Sequence, residues 1–165
     1  MGKIHTLTIG INKYDDPNSN LSGCVNDSWD LTRLFARDKL YGDAIDRLPF
    51  FHNADSQMKL HDRKASLKTA IETVGTFLSK LNDGDFGLLW FSQHGSYIKD
   101  VSGDEVDKTD EVLVFSDFGL WTDDKIMKTL KTRNPKSLLF VGSLVLAATS
   151  FDLHALSMPP AFTLS

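Results

Sequence analysis

The sequence predicts an α/β fold in which a mostly parallel sheet carries helices on both faces, a three-layer α/β/α arrangement. Three observations predict it: short apolar runs typical of buried strands, segments with apolar residues at helical spacing, and the alternation of the two along the chain. With 165 residues, 41% of them hydrophobic, the chain is long enough for one domain with a sizeable core.

The first half of the chain supplies two strands and two helices. Residues of high β-propensity before a turn predict a strand, and side chains that can cap a helix predict where a helix starts. Apolar residues at helical intervals predict the face that a helix turns to the core. The predicted elements are a strand at 5–11, a helix from Asn26 or Asp27 to near Gly42, a strand at 48–52, a polar loop through Asp62, and a helix at 67–81.

The second half follows the same alternation. Thr122 can cap a short helix, and Asp123 and Asp124 in its first turn suit the positive end of the helix dipole. The predicted elements are a strand at 86–91, a polar turn and an acidic loop, a strand at 112–115, the helix after Thr122, and a strand at 137–141.

The stretch 86–96, FGLLWFSQHGS, holds the main candidate for chemistry. Its apolar residues are too few for a helix but suit a strand that is buried on both faces, and His94 follows in a polar turn that contains Gly95. Catalytic groups in α/β proteins tend to lie just past the carboxyl ends of strands. His94 is therefore a candidate catalytic residue; the alternative is a polar residue in a surface turn.

Composition excludes several classes of protein. A formal charge of −4, without a basic stripe, argues against a nucleic-acid partner. A single cysteine, Cys24, excludes an intrachain disulfide framework and a cysteine-based zinc site. The sequence shows no leader and no apolar run that could span a membrane, so we expect a cytoplasmic protein without a membrane partner.

Five motifs occur in a recognisable order: GINKY, LSGCVNDSWDLTRLF, LLWFSQHGS, GDEVDKTDEVLVFSDF and SLLFVGS. In sequence and spacing they resemble the large-subunit region of the caspase-like cysteine peptidases, and most of all the bacterial metacaspases. The resemblance implies a caspase-like fold that is truncated at its C-terminus. It divides the chain into a large-subunit domain at 1–143 and an aberrant tail at 144–165.

The resemblance also implies roles for single residues. His94 matches the histidine that takes the thiol proton, and the backbone N–H of Gly95 matches an oxyanion-hole donor. Cys24 matches a position beside the substrate pocket, although it can equally be a small buried core residue. The implied activity is cleavage of a peptide or protein substrate after a basic residue.

An acidic stretch follows His94. Five carboxylates within eight positions offer oxygen ligands for a hard cation, and metacaspases are often calcium-activated, so the resemblance makes a Ca²⁺ site here a hypothesis. The spacing lacks EF-hand order, and a solvated acidic loop is the alternative. The residues are Asp104, Glu105, Asp107, Asp110 and Glu111.

The chain departs from the family after its last predicted strand. Where the family has a turn such as Asp-Ser-Cys-Phe-Ser-Gly, Val145 stands at the position of the nucleophilic cysteine and Ser143 near that of a pocket-forming aspartate. Ser-Cys-Phe-Ser-Gly can be encoded so that a neighbouring frame reads Leu-Val-Leu-Ala-Ala, which is 144–148. We therefore hypothesise a frameshift before Leu144, to be decided by the gene's nucleotides; the alternative is a genuine strand extension.

Two function classes remain open. The first is a caspase-type cysteine endopeptidase that is inactive as written because its nucleophile is missing. The second is a pseudopeptidase that works as a binding or regulatory module. If no further strands follow, the last strand keeps an open edge, which predicts a homodimer or aggregation.

Overall fold

The computed structural model describes residues 2–35, 54–99 and 109–147. Its elements are β1 (Ile4–Gly10), α1 (Cys24–Phe35), β2 (Ser56–His61), α2 (Leu67–Ser79), β3 (Phe86–Lys99), β4 (Thr109–Val114), β5 (Leu120–Thr122), α3 (Asp123–Leu130) and β6 (Leu138–Ala147).

The strands form one sheet in the order β2-β1-β3-β4-β5, with β6 on the other side of β3. The pairs β1–β2, β1–β3 and β3–β6 are parallel, whereas β3–β4 and β4–β5 are antiparallel. The predicted mostly parallel α/β sheet is confirmed.

Helices α1 and α2 lie on opposite faces of this sheet. Successive side chains of a strand point to opposite faces. On β1, Leu7 and Ile9 share the apolar core with Val74 and Phe77 of α2. Thr8, between them in the sequence, places its Oγ1 3.3 Å from Oγ1 of Thr32 on α1. The predicted helices on both faces are therefore confirmed.

The helix α2 shows how the sequence specifies a core element. The Ser66 side chain accepts a hydrogen bond from the Thr69 N–H and so caps the helix start. The spacing of its apolar residues turns one face inward, and each large buried side chain contributes about 1.5–3 kcal/mol. Its buried residues are Ala70, Val74, Phe77 and Leu78. The helix predicted at 67–81 is confirmed, as is the Thr122 cap of α3.

Two predictions for the first half were wrong. The polar loop through Asp62 contains strand β2 at Ser56–His61, an edge strand in which only Leu60 is buried and which therefore lacks an apolar run. The helix predicted to start after Asn26 or Asp27 begins at Cys24, because Gly23 turns the chain with a φ of 111°. The strand predicted at 48–52 and the helix end near Gly42 lie outside the described residues.

Strand β3 is longer than the sequence indicates, and this changes the setting of His94. The prediction of a polar turn around His94 was wrong, because residues 94–99 continue β3 and pair with the antiparallel strand β4. The short strand β5 was not predicted from the sequence.

Strand β6 crosses the boundary predicted after Ser143. It runs from Leu138 to Ala147, and residues 144–147 stay in register with 92–95 of β3. In the described part of the chain, 144–147 thus extend a strand. The proposed frameshift concerns the gene and stays a prediction.

The helices of the described ranges are too short to cross a bilayer. The longest of them, α2, has 13 residues, whereas a membrane span takes about 20 apolar residues.

Candidate functional site

The site lies where β1 and β3 reach the carboxyl end of the sheet. There β1 ends at Gly10, opposite Ser92, while β3 continues to His94. The chain after β1 folds back over β3 at His94 and brings Tyr14 and Ser19 to the histidine. This is the edge at which α/β proteins usually bind ligands.

His94 is held on three sides. Its imidazole is 4% exposed and lies 4.9 Å from the Tyr14 ring, centroid to centroid. Its Nε2 is 2.9 Å from the carbonyl oxygen of Ser19, and its backbone N–H donates to the Tyr14 hydroxyl at 3.0 Å. Both the backbone and the ring of His94 are therefore fixed by one loop.

The contact with Ser19 determines the tautomer of His94. A carbonyl oxygen can only accept, so Nε2 must carry the proton. In the neutral imidazole this places the basic lone pair on Nδ1. His94 can then accept a proton at Nδ1 while Nε2–H keeps its orientation, as a general base requires.

A second group of polar residues shares the same face of the sheet. Ser92 precedes His94 by two positions on β3, so both side chains point to the α1 side. The Ser92 hydroxyl donates to Asp27 Oδ2 at 2.7 Å. Asp27 lies in the first turn of α1 and is only partly buried. The structure thus places a carboxylate against Ser92, on the sheet face that Ser92 shares with His94.

Cys24 is fully buried at the start of α1, in contact with Ser92. Burial raises the pKa of its thiol, and the neighbouring Asp27 charge raises it further, against a hydrogen bond with Ser92 that lowers it. A thiol with a raised pKa is a weak nucleophile at neutral pH. The buried thiol is therefore not an activated nucleophile, and its burial agrees with the alternative of a small core residue. The place of Cys24 beside a substrate pocket stays a prediction.

Ser143 and Val145 point away from His94. They pair with Phe91 and Gln93, so they share the face opposite to Ser92 and His94. Val145 packs against the apolar core, and a Cβ at Gly95 would collide with its side chain. The structure therefore does not bring Ser143 into the group around His94. The oxyanion role of Gly95 stays a prediction.

The acidic stretch is only partly described. Asp104, Glu105 and Asp107 lie outside the described residues, while Asp110 and Glu111 lie in β4, opposite Ile98 and Tyr97. Asp110 is 5% exposed. In the described ranges, no group of three potential metal-ligating side chains is close enough to hold an ion. Calcium binding stays a prediction.

Sequence reasoning missed four residues of the site: Tyr14, Ser19, Asp27 and Ser92. Three of them lie inside the motifs GINKY, LSGCVNDSWDLTRLF and LLWFSQHGS, whose order pointed to the family but not to the roles of these residues. Strand alternation could have placed Ser92 beside His94. Nothing local marks the Ser19 carbonyl as an acceptor 75 residues away in sequence.

Comparisons with known proteins agree with the motif order. The sequence profile of the family described as "Metacaspase, peptidase C14 domain" matches residues 5–141. Metacaspase-1 of Schizosaccharomyces pombe is 30% identical over 112 residues, which are 68% of this chain and 25% of that protein. Metacaspase-1A of Neurospora crassa is 29% identical over 132 residues, 78% of this chain and 28% of that protein. The chain spans about a quarter of the length of these relatives.

A solved structure shares the fold. The crystal structure of protein GSU0716 from Geobacter sulfurreducens is similar with a TM-score of 0.65 at 24% sequence identity. The match covers 86% of this chain and 49% of that chain.

Proposed function

This chain belongs to the metacaspase, peptidase C14 family. We propose that it is a Cys/His-type endopeptidase domain that recognises basic residues and whose sequence lacks the nucleophilic cysteine. The setting of His94 carries the proposal: a buried imidazole whose Nε2–H donates to a main-chain carbonyl is prepared to take a proton at Nδ1. In the family chemistry that proton comes from the attacking thiol. The bacterial branch and the cytoplasmic location stay predictions.

The proposed inactivity has two supports. Val145 carries no ionisable atom at the position where the resemblance places the cysteine. Its side chain also lies on the sheet face opposite to His94. Changing Val145 to cysteine would therefore put a thiol on the core side of the sheet, out of reach of the imidazole.

The proposed preference for a basic residue rests on Asp27. Its carboxylate is partly exposed and is oriented by the Ser92 hydroxyl at 2.7 Å. A guanidinium or ammonium group at this place would form a charge-assisted hydrogen bond with it. Recognition of a basic side chain beside His94 needs no nucleophile, which favours the second candidate function, a pseudopeptidase that binds basic segments.

Hydrolysis and binding assays separate these functions. We expect no turnover of fluorogenic Arg or Lys peptides by the chain, with or without Ca²⁺, next to an active metacaspase as positive control. Turnover that disappears in His94→Ala would contradict the proposed inactivity. We expect a labelled Arg peptide to bind the chain in fluorescence anisotropy and to lose affinity by roughly tenfold in Asp27→Asn.

The matched control is Asp30→Asn. Asp30 lies one turn further along α1, where it pairs with Arg33 at 3.3 Å and its side chain is 52% exposed. This variant should bind the peptide like the unmodified chain. Equal binding by all three proteins would remove Asp27 from recognition, and no binding by any would contradict the basic preference.

We also propose that the chain self-associates through β6. In the described ranges β6 pairs only with β3, and none of its ten residues is charged. Leu138 and Leu144 are 70% and 45% exposed on one face. An uncharged edge strand with exposed apolar side chains is a template for a second strand. Sedimentation velocity should show dimers or larger species, and Leu144→Lys should dissociate them to monomers. A monomer at all concentrations of the unmodified chain would contradict the proposal.

A further inference from the structure

Strand β3 changes its neighbour just before His94. On one side β1 pairs with β3 as far as Ser92, and the Ile11 N–H still donates to the Ser92 carbonyl at 3.0 Å. From His94 onward the neighbour on that side is β4, which begins its pairing at Val114. We call this point the strand fork. Backbone groups at such a fork need another partner, because buried polar groups without one are costly.

Tyr14 supplies the missing partner at the strand fork. Its hydroxyl accepts the His94 backbone N–H at 3.0 Å and donates to the Val114 carbonyl at 3.4 Å, a carbonyl that also accepts from Gln93 Nε2 at 3.2 Å. One phenol group thus takes the place of a ladder hydrogen bond between β3 and β4. Tyr14 is 1% exposed, so these contacts lie away from the surface. Burial also raises the pKa of the phenol well above its usual value, so the hydroxyl keeps its proton.

The loop that carries Tyr14 is itself tied down. The Tyr14 N–H donates to Asn20 Oδ1 at 3.0 Å, and the Leu21 N–H donates to the Asn12 carbonyl at 2.8 Å. Asp15 joins the loop to the Ser116 carbonyl at 3.0 Å. The same loop presents the Ser19 carbonyl to His94 Nε2. One hydrogen-bonded loop therefore carries both residues that contact His94, Tyr14 and Ser19.

We propose that Tyr14 is a positioning residue for His94: its hydroxyl closes the strand fork and thereby holds the histidine backbone where Nε2 meets the Ser19 carbonyl. The physical reason is that the position and orientation of the imidazole ring follow from the position of the His94 backbone that carries it. With the hydroxyl absent, the His94 N–H loses its acceptor at 3.0 Å, whereas the Val114 carbonyl keeps the Gln93 Nε2 donor at 3.2 Å. The ring then loses its fixed distance to Ser19. The inference rests on the proposed function of His94 as a base.

The test removes only the hydroxyl. Tyr14→Phe keeps the ring that packs 4.9 Å from the imidazole, so the fold should persist. We expect amide hydrogen exchange at His94 to accelerate by roughly three- to tenfold, as for the loss of one hydrogen bond. We also expect the ¹⁵N shifts of the imidazole to move from pure Nε2–H toward a mixture of tautomers. Circular dichroism serves as the check on folding.

Two further variants keep the result interpretable. Tyr97→Phe removes the same hydroxyl three residues further along β3 and should leave the His94 tautomer unchanged. Asn20→Ala removes the acceptor of the Tyr14 N–H and should shift the tautomer in the same direction as Tyr14→Phe, by less. Unchanged exchange and tautomer at His94 in Tyr14→Phe would overturn the proposal, as would an equal effect of Tyr97→Phe. Hydrogen exchange and ¹⁵N shifts do not depend on peptide hydrolysis. A negative result would therefore count against the role of Tyr14 and not against the peptidase assignment.

Discussion

Two buried histidines lie at opposite ends of the sheet, and their surroundings differ in kind. At the amino end, His5 places Nδ1 2.8 Å from the Ser56 hydroxyl and Nε2 3.3 Å from Asp85 Oδ2. At the carboxyl end, His94 is held by a carbonyl and a phenol. By residue type the first group looks like the better catalytic set, since it combines serine, histidine and aspartate.

The hydrogen bonds of Asp85 explain why the amino end is structural. Its carboxylate accepts the N–H of Lys3 at 2.7 Å and of Asn82 at 2.9 Å, so it joins the starts of β1 and β3. At the carboxyl end, the carboxylate of Asp27 accepts a hydrogen bond from the Ser92 hydroxyl and remains partly exposed. Both histidines are buried, so the two groups differ in their carboxylates: Asp85 is taken up by backbone donors, whereas Asp27 keeps a partly exposed side that can receive a ligand. Residue types alone do not reveal this difference.

The largest expected effect concerns Cys24, at the carboxyl end. Because the thiol is buried and its pKa is raised, we expect a disulfide reagent to label the folded chain at neutral pH roughly a hundredfold more slowly than the chain in concentrated urea. The single cysteine makes the assay specific. Fast labelling of the folded chain would contradict the burial and raised pKa of Cys24, because it would show an accessible thiolate.

The next effect tests the structural role of the amino end. Asp85→Ala should lower the melting temperature by several degrees, because it removes the carboxylate that accepts the Lys3 and Asn82 N–H groups and joins the starts of β1 and β3. The control is Asp83→Ala, which removes a 62% exposed side chain that pairs with Lys136 and should change little. If both variants melt alike, the amino end is no more structural than the surface around it.

The smallest effect is a pH dependence at the same place. The N–H groups of Asn82 and Lys3 lower the pKa of Asp85 to about 2, against about 3.9 for an aspartate in the unfolded chain. Its contribution to stability is therefore complete above pH of about 4 and is lost as the pH falls toward 2. We expect the difference in melting temperature between the unmodified chain and Asp85→Asn to shrink over this range. A constant difference would contradict the lowered pKa.

Local patterns were sufficient for most of the elements. The helix α2 and the Thr122 cap of α3 were predicted because apolar spacing and capping side chains act within a few residues. Strand β2 was missed because an edge strand with one buried residue carries no apolar run. The length of β3 was missed because its last six residues form a strand through pairing with distant segments: 94–99 pair with β4, and 94–95 also pair with β6.

The sequence by itself determined the α/β class, the family and the absence of a cysteine at position 145, since these depend on composition, motif order and identity. Only the tertiary structure decided what His94 contacts. Its partners Tyr14 and Ser19 lie 80 and 75 residues away in the chain, and a carbonyl acceptor leaves no signature in residue type. Sequence patterns record which residues are buried, whereas the pairing of distant strands decides which buried groups meet.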